Sequence, residues 1–240
     1  AAPSAVTWLF ATGRLGPLGC GLDLAAKRIM ADIVNARGSF FLVGLFFCYG
    51  GLWVMAKRSG SYVVPFSFDW LSFDEAVGLA ADTGRISGDA GPLLETVVDM
   101  LDELGRPDEY FDCIQVAGTN GKTSTTRFSA AILRGEGLKT ALYTSPQLVR
   151  YPERMDVDGR VVSDEAFARG VSAAVEAGRR VNAHRVAAGE RAYTITPFDL
   201  LTAAALVVFA EAAVDVAVLE VGMGGRWDAT SATDPVAVAI

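Results

Sequence analysis

The apolar and polar positions divide the chain into two regions of different character. Residues 40–56 (FFLVGLFFCYGGLWVMA) form an unbroken apolar run without a charge, bounded by Arg37 on one side and Lys57 and Arg58 on the other. From Ser67 onward, short apolar runs alternate with amphipathic stretches. Ser72-Phe73-Asp74-Glu75 predicts a helix start, with Ser72 as N-cap and acids in the first turn. A second helix is expected from about Pro92 to Leu104, stopped by Gly105. Cys113–Ala117 (CIQVA) predicts a short strand, Thr125–Arg134 a helix closed by Gly135 and Gly137, and Leu138–Tyr143 the next strand. Ser163 caps a long helix whose first turn holds Asp164 and Glu165. Phe198–Ala212 reads as another helix, and Val214–Leu219 (VDVAVL) as an apolar strand ending at Glu220. Strands alternating with helices predict an α/β fold, a mostly parallel sheet with helices on both faces.

The N-terminal run belongs to no such unit. A membrane helix needs roughly 17–25 apolar residues, and residues 40–56 sit at that lower limit. The basic pair after the run would place the following chain in the cytoplasm. A buried helix, or sequence joined on through a misplaced gene start, fits the run as well. A signal peptide fits poorly, because no small-residue cleavage motif follows. The expected division is therefore an apolar extension over 1–62 and an α/β domain over 66–240. The chain opens on Ala1 and closes inside the apolar run Val236–Ile240, so both ends read as cuts and the sheet as incomplete at its C-terminal side.

Composition narrows the chemistry. A formal net charge of −7 argues against a non-specific nucleic-acid binder. Cys20, Cys48 and Cys113 form no C-x-x-C pair, which points to a reducing compartment without a disulfide or metal framework. The single histidine, His184, lies at a polar helix end and reads as a solvated surface residue.

The strongest local signal is GTNGKTS, Gly118 to Ser124, between a strand and a helix. A polyphosphate needs several N–H donors converging on it, and a glycine-rich turn supplies them without Cβ obstruction. The helix that follows adds its positive dipole end. Gly118, Thr119, Asn120 and Gly121 would form the cradle, Lys122 would neutralise the β- and γ-phosphates, and Thr123 or Ser124 would offer a hydroxyl to phosphate or Mg²⁺. The loop has the short form G-x-x-G-K, since Val116 stands where the longer phosphate-loop pattern has glycine. A phosphate loop needs a metal partner, and Glu220 at the end of VDVAVL meets that need. The glycine-rich turn after it, Val221 to Arg226, lies where ligands collect in doubly wound sheets.

Four ordered blocks carry a family resemblance: VAGTNGKTST at 116–125, YTSPQLVRYPERMDVDG at 143–159, TPFDLLTAAALVVFA at 196–210 and VLEVGMGGRWDAT at 218–230. Together they resemble the Mur ligase superfamily, and within it the folylpolyglutamate/dihydrofolate synthases, over roughly Phe66 to Ile240. The resemblance implies a ligase that uses ATP and Mg²⁺ to join L-glutamate to dihydropteroate or folate through an acyl phosphate. It implies Lys122 and Glu220 as catalytic residues and Ser145 and Glu220 as Mg²⁺ ligands. Thr196, Phe198 and Asp228 match positions lining the pterin pocket. It further implies small-molecule partners, a cytoplasmic monomer, and a later glutamate-binding domain that this chain lacks, which would leave it inactive alone. Gln147, Asp199, Trp227 and Thr123 depart from the usual pattern, standing where histidine, glutamate, leucine and glycine are common. Thr123 alone favours a cell-wall ligase of the Mur type, and the 40–56 run would suit a membrane-tethered nucleotide-binding module. Those two readings are the alternatives.

Overall fold

The computed structural model describes residues 58, 60–82 and 94–240, all within one unit, Lys57–Ile240. The 40–56 run and the first residues of the helix expected from Pro92 lie outside the described residues. Among the described residues, no helix is long and apolar enough to cross a membrane.

Six strands form one sheet: β1 (Asp112–Val116), β2 (Thr140–Tyr143), β3 (Met155–Val157), β4 (Arg160–Val161), β5 (Val216–Glu220) and β6 (Ala237–Ala239), in the order β4-β3-β2-β5-β1-β6. β2, β5, β1 and β6 run parallel, and β3 and β4 add an antiparallel edge. Five helices accompany them among the described residues: α1 (Phe73–Ala81), α2 (Leu94–Glu103), α3 (Lys122–Gly135), α4 (Asp164–Ala187) and α5 (Pro197–Glu211).

The strands read as continuous apolar runs because both faces are covered. Their side chains alternate with the period of two that a pleated strand imposes. Cys113, Ala141, Tyr143, Ala217 and Leu219 enter the main core, which α2, α4 and α5 complete. Ile114, Val116, Leu142, Val216 and Val218 enter a smaller core closed by Ala130 and Leu133 of α3. Every residue of α5 from Asp199 to Ala210 is buried, as expected of a helix apolar on all sides. Each fully buried Leu, Val or Phe contributes about 1.5–3 kcal/mol, so α5 is a principal source of stability.

Three expectations shift. The helix expected from Thr125 begins at Lys122, because Gly121 takes φ +77° and turns the chain directly into the helix. The strand expected over Val214–Leu219 runs Val216–Glu220, which brings the carboxylate onto the strand itself. The alternation of strand and helix gave no sign of the β3–β4 hairpin. Its turn is Asp158-Gly159, both at positive φ, a dipeptide suited to a tight hairpin.

Candidate functional site

The phosphate-loop residues leave β1 at Val116, whose register partner in β5 is Glu220. The loop and the acid therefore emerge side by side at the carboxyl ends of two parallel strands, and β2 delivers Thr144 and Ser145 at the same end. Gly118 and Gly121 both lie at positive φ, and a Cβ at Gly121 would meet nothing within 4 Å, so the cradle is open. Thr119, Asn120, Gly121 and Ser124 are exposed, while Gly118, Lys122 and Thr123 are half-buried.

The start of α3 differs from that of its neighbours. Ser72, Ser163 and Thr196 cap α1, α4 and α5 with side-chain oxygens, and each of those helices has an acid in its first turn. α3 has no side-chain cap bond and no acid in its first turn, and its first residue is Lys122. Unmatched amides at a helix start, with a cation beside them, suit an anion. Lys122 Nζ donates to the Gly118 carbonyl at 2.9 Å, so the cation already leans over the loop.

Glu220 is 2% exposed. Its Oε1 accepts from Thr123 Oγ1 at 2.7 Å and its Oε2 from the Ser145 backbone N–H at 3.2 Å. One carboxylate thus ties together the phosphate loop, β5 and the turn that carries Ser145. Among the described residues, no three His, Cys, Asp or Glu side chains gather as a metal cage. Mg²⁺ is usually held by one or two carboxylates together with phosphate oxygens and water. Glu220 and the Ser145 hydroxyl, beside an open cradle, fit that donor set.

Ser145 sits in a braced loop. Glu153 accepts from the backbone N–H groups of Leu148, Val149 and Arg150 at 2.9, 3.1 and 3.0 Å. Those amides, led by Val149 and Leu148, hold its carboxyl below the usual glutamate range. Arg154 Nε donates to Gln147 Oε1 at 2.6 Å, and the Thr144 N–H donates to the Arg154 carbonyl at 2.9 Å.

Thr196, Phe198 and Asp228 form a second group beyond the end of β5. Thr196 caps α5 and shares a reciprocal capping box with Asp199, whose acidity burial weakens. The Phe198 ring lies against Gly222, where a Cβ would meet it at 2.5 Å, and tilts toward Tyr143 with centroids 6.1 Å apart. Asp228 is buried. Its Oδ2 accepts from the Met223 N–H at 2.9 Å, and its Oδ1 accepts from the Thr230 N–H and hydroxyl at 3.0 and 2.6 Å. Trp227 stands 55% exposed, with the Arg226 guanidinium 5.2 Å from its ring centroid. His184 is exposed at the surface, 3.8 Å from Glu103.

Sequence reasoning passed over three supports of this region. Gln115, the polar residue within CIQVA, is buried and donates to Thr230 Oγ1 at 2.9 Å and Ser231 Oγ at 2.8 Å, anchoring the segment after Asp228 to β1. A polar residue inside an apolar strand was the available signal. Glu153 and Gly222 gave weaker signals, since one is an acid in a charged loop and the other a glycine among several.

Comparison with known proteins places this geometry. No family model matches the chain. A probable bifunctional folylpolyglutamate synthase/dihydropteroate synthase of Haloferax volcanii is 44% identical over 170 residues, 71% of this chain and 19% of that protein. The dihydrofolate synthase/folylpolyglutamate synthase of Mycobacterium tuberculosis is 39% identical over 151 residues, 61% of this chain and 31% of its own length. Over the matched residues the chain is similar to the folylpolyglutamate/dihydrofolate synthases. An FPGS–AMPPCP–folate complex superposes with a TM-score of 0.62 at 32% identity, covering 70% of this chain and 39% of that one. The chain thus spans a fifth to two fifths of the length of these family members. They favour the folate branch over the cell-wall ligases and over a non-catalytic module.

Proposed function

We propose that residues 66–240 form the ATP-binding part of a cytoplasmic ligase that joins L-glutamate to dihydropteroate or folate. The observation that carries this reading is the meeting of α3's uncapped start, Lys122, Ser145 and Glu220 at the carboxyl ends of β1, β2 and β5. Gly118, Thr119, Asn120, Gly121, Thr123 and Ser124 would receive the β- and γ-phosphates. Lys122 would turn from the Gly118 carbonyl to the phosphate oxygens. Ser145 and Glu220 would hold Mg²⁺, which supplies charge neutralisation at the phosphates. The work of such a site is positioning and charge stabilisation, and no nucleophilic side chain is required. In the whole protein the substrate's carboxylate would take the γ-phosphoryl group from ATP. The glutamate amine would then displace phosphate to form the amide, leaving ADP and phosphate.

Phe198 and Thr196 would line the pterin's face and edge. A carboxylate offers about four acceptor sites. Asp228 uses three on its own loop, which leaves one for a pterin amine. Asp228→Ala should weaken folate or dihydropteroate binding by about tenfold or more, the scale of a hydrogen bond to a charged group, and spare ATP. Fluorescence titration with each ligand separates the two. Equal losses for both would assign this loop to the nucleotide site or to the fold.

A further inference from the structure

The buried Glu220 carboxylate is held by two donors of unequal kind. One is the Ser145 backbone N–H, which a side-chain substitution leaves in place. The other is the Thr123 hydroxyl, on the second residue of α3, reaching across 97 positions of sequence at 2.7 Å. Both donors are neutral, and the nearest loop cation, Lys122, is engaged with the Gly118 carbonyl. A glutamate side chain has three rotatable bonds, and a buried carboxylate oxygen left without a donor carries a large desolvation cost. The hydroxyl therefore sets which way the carboxylate faces.

We propose that Thr123 is a positioning residue for the divalent cation: its hydroxyl fixes the Glu220 carboxylate beside the cradle. The proposal rests on the nucleotide-binding reading above. With Oε1 bonded to Thr123 and Oε2 to Ser145 N–H, each oxygen keeps a lone pair for a cation. The Thr123 oxygen, donating its hydrogen bond to Glu220, also keeps its acceptor sites. Removing the hydroxyl strands a buried oxygen, lets the carboxylate turn away from the cradle, and weakens it as a cation ligand. The methyl group, by contrast, has no part in the bond.

The test uses the 240-residue chain and its Thr123→Val and Thr123→Ser variants. Calorimetric titration with AMPPCP is repeated at a series of Mg²⁺ concentrations and once in EDTA. In Thr123→Val the Mg²⁺ concentration that half-restores nucleotide affinity should rise about tenfold, as expected for a lost hydrogen bond to a charged group. Any loss of affinity in EDTA should be smaller than the loss at limiting Mg²⁺, and Thr123→Ser should keep the parent's Mg²⁺ dependence. A purely structural role would lower affinity equally with and without Mg²⁺. Should Thr123→Val fail to fold, Thr123→Ala removes the same hydroxyl with a residue that favours the helix. If the parent binds nucleotide and loss of the hydroxyl leaves the Mg²⁺ requirement unchanged or lower, this proposal alone is overturned. If the parent does not bind nucleotide, the underlying reading fails and the proposal with it.

Discussion

Gly222 shows how much a single hydrogen-for-methyl change can reach. It lies two residues after Glu220 and faces the Phe198 ring, leaving no room for a Cβ at 2.5 Å. Gly222→Ala would force the ring or the loop to move, and overpacking of this kind costs about 1–3 kcal/mol. The expected outcome is a lower thermal midpoint together with weaker folate binding. An unchanged midpoint with unchanged folate affinity would remove Phe198 from the pocket. The residues with chemical signatures, Lys122 and Glu220, were legible in the sequence because a glycine-rich turn after a strand and an acid ending an apolar strand each have a direct physical reading. The Gly222–Phe198 contact and the Gln115–Thr230 bond were not. Gly222 follows β5 while Phe198 opens α5, and Gln115 lies on β1 while Thr230 lies beyond β5, so only the packed fold brings each pair together.

Among the elements, the loop from Ser145 to Arg154 depends most on one group. Glu153 collects three backbone amides, and these depress its pKa. A carboxyl whose folded value lies below its unfolded one contributes stability that is present above the ordinary glutamate range and is lost as pH falls through the folded value. Hydrogen exchange at Leu148, Val149 and Arg150 should therefore accelerate, relative to neighbouring amides, as pH falls into that range. Glu153→Gln should show the faster exchange already at neutral pH. Equal protection in variant and parent would mean that the loop is held by other contacts, such as Arg150 with Asp164. Helix starts were read correctly where a Ser or Thr cap precedes acids, as at Ser72 and Ser163. The start of α3 was placed three residues late because it has no cap to read. The same absence is what the proposed phosphate contact would use.

For the whole molecule, the described residues form a unit with its own core on both faces of the sheet. Removing residues 1–57 should leave a cooperative unfolding transition with an unchanged midpoint and unchanged nucleotide affinity. Loss of cooperativity on deletion would show that the extension is part of the fold. The α/β class and the parallel sheet were legible from alternating runs. The antiparallel edge was not, because a two-residue β4 leaves too short a pattern to see. The central claim remains the nucleotide cradle at the ends of β1, β2 and β5, and titration with Mg²⁺·ATP, parent against Lys122→Ala, tests it most directly. The account predicts saturable binding by the parent and at least about a tenfold loss in the variant, since a charge-assisted bond to phosphate contributes about 1.5–3 kcal/mol. Equal affinities for parent and variant would contradict it.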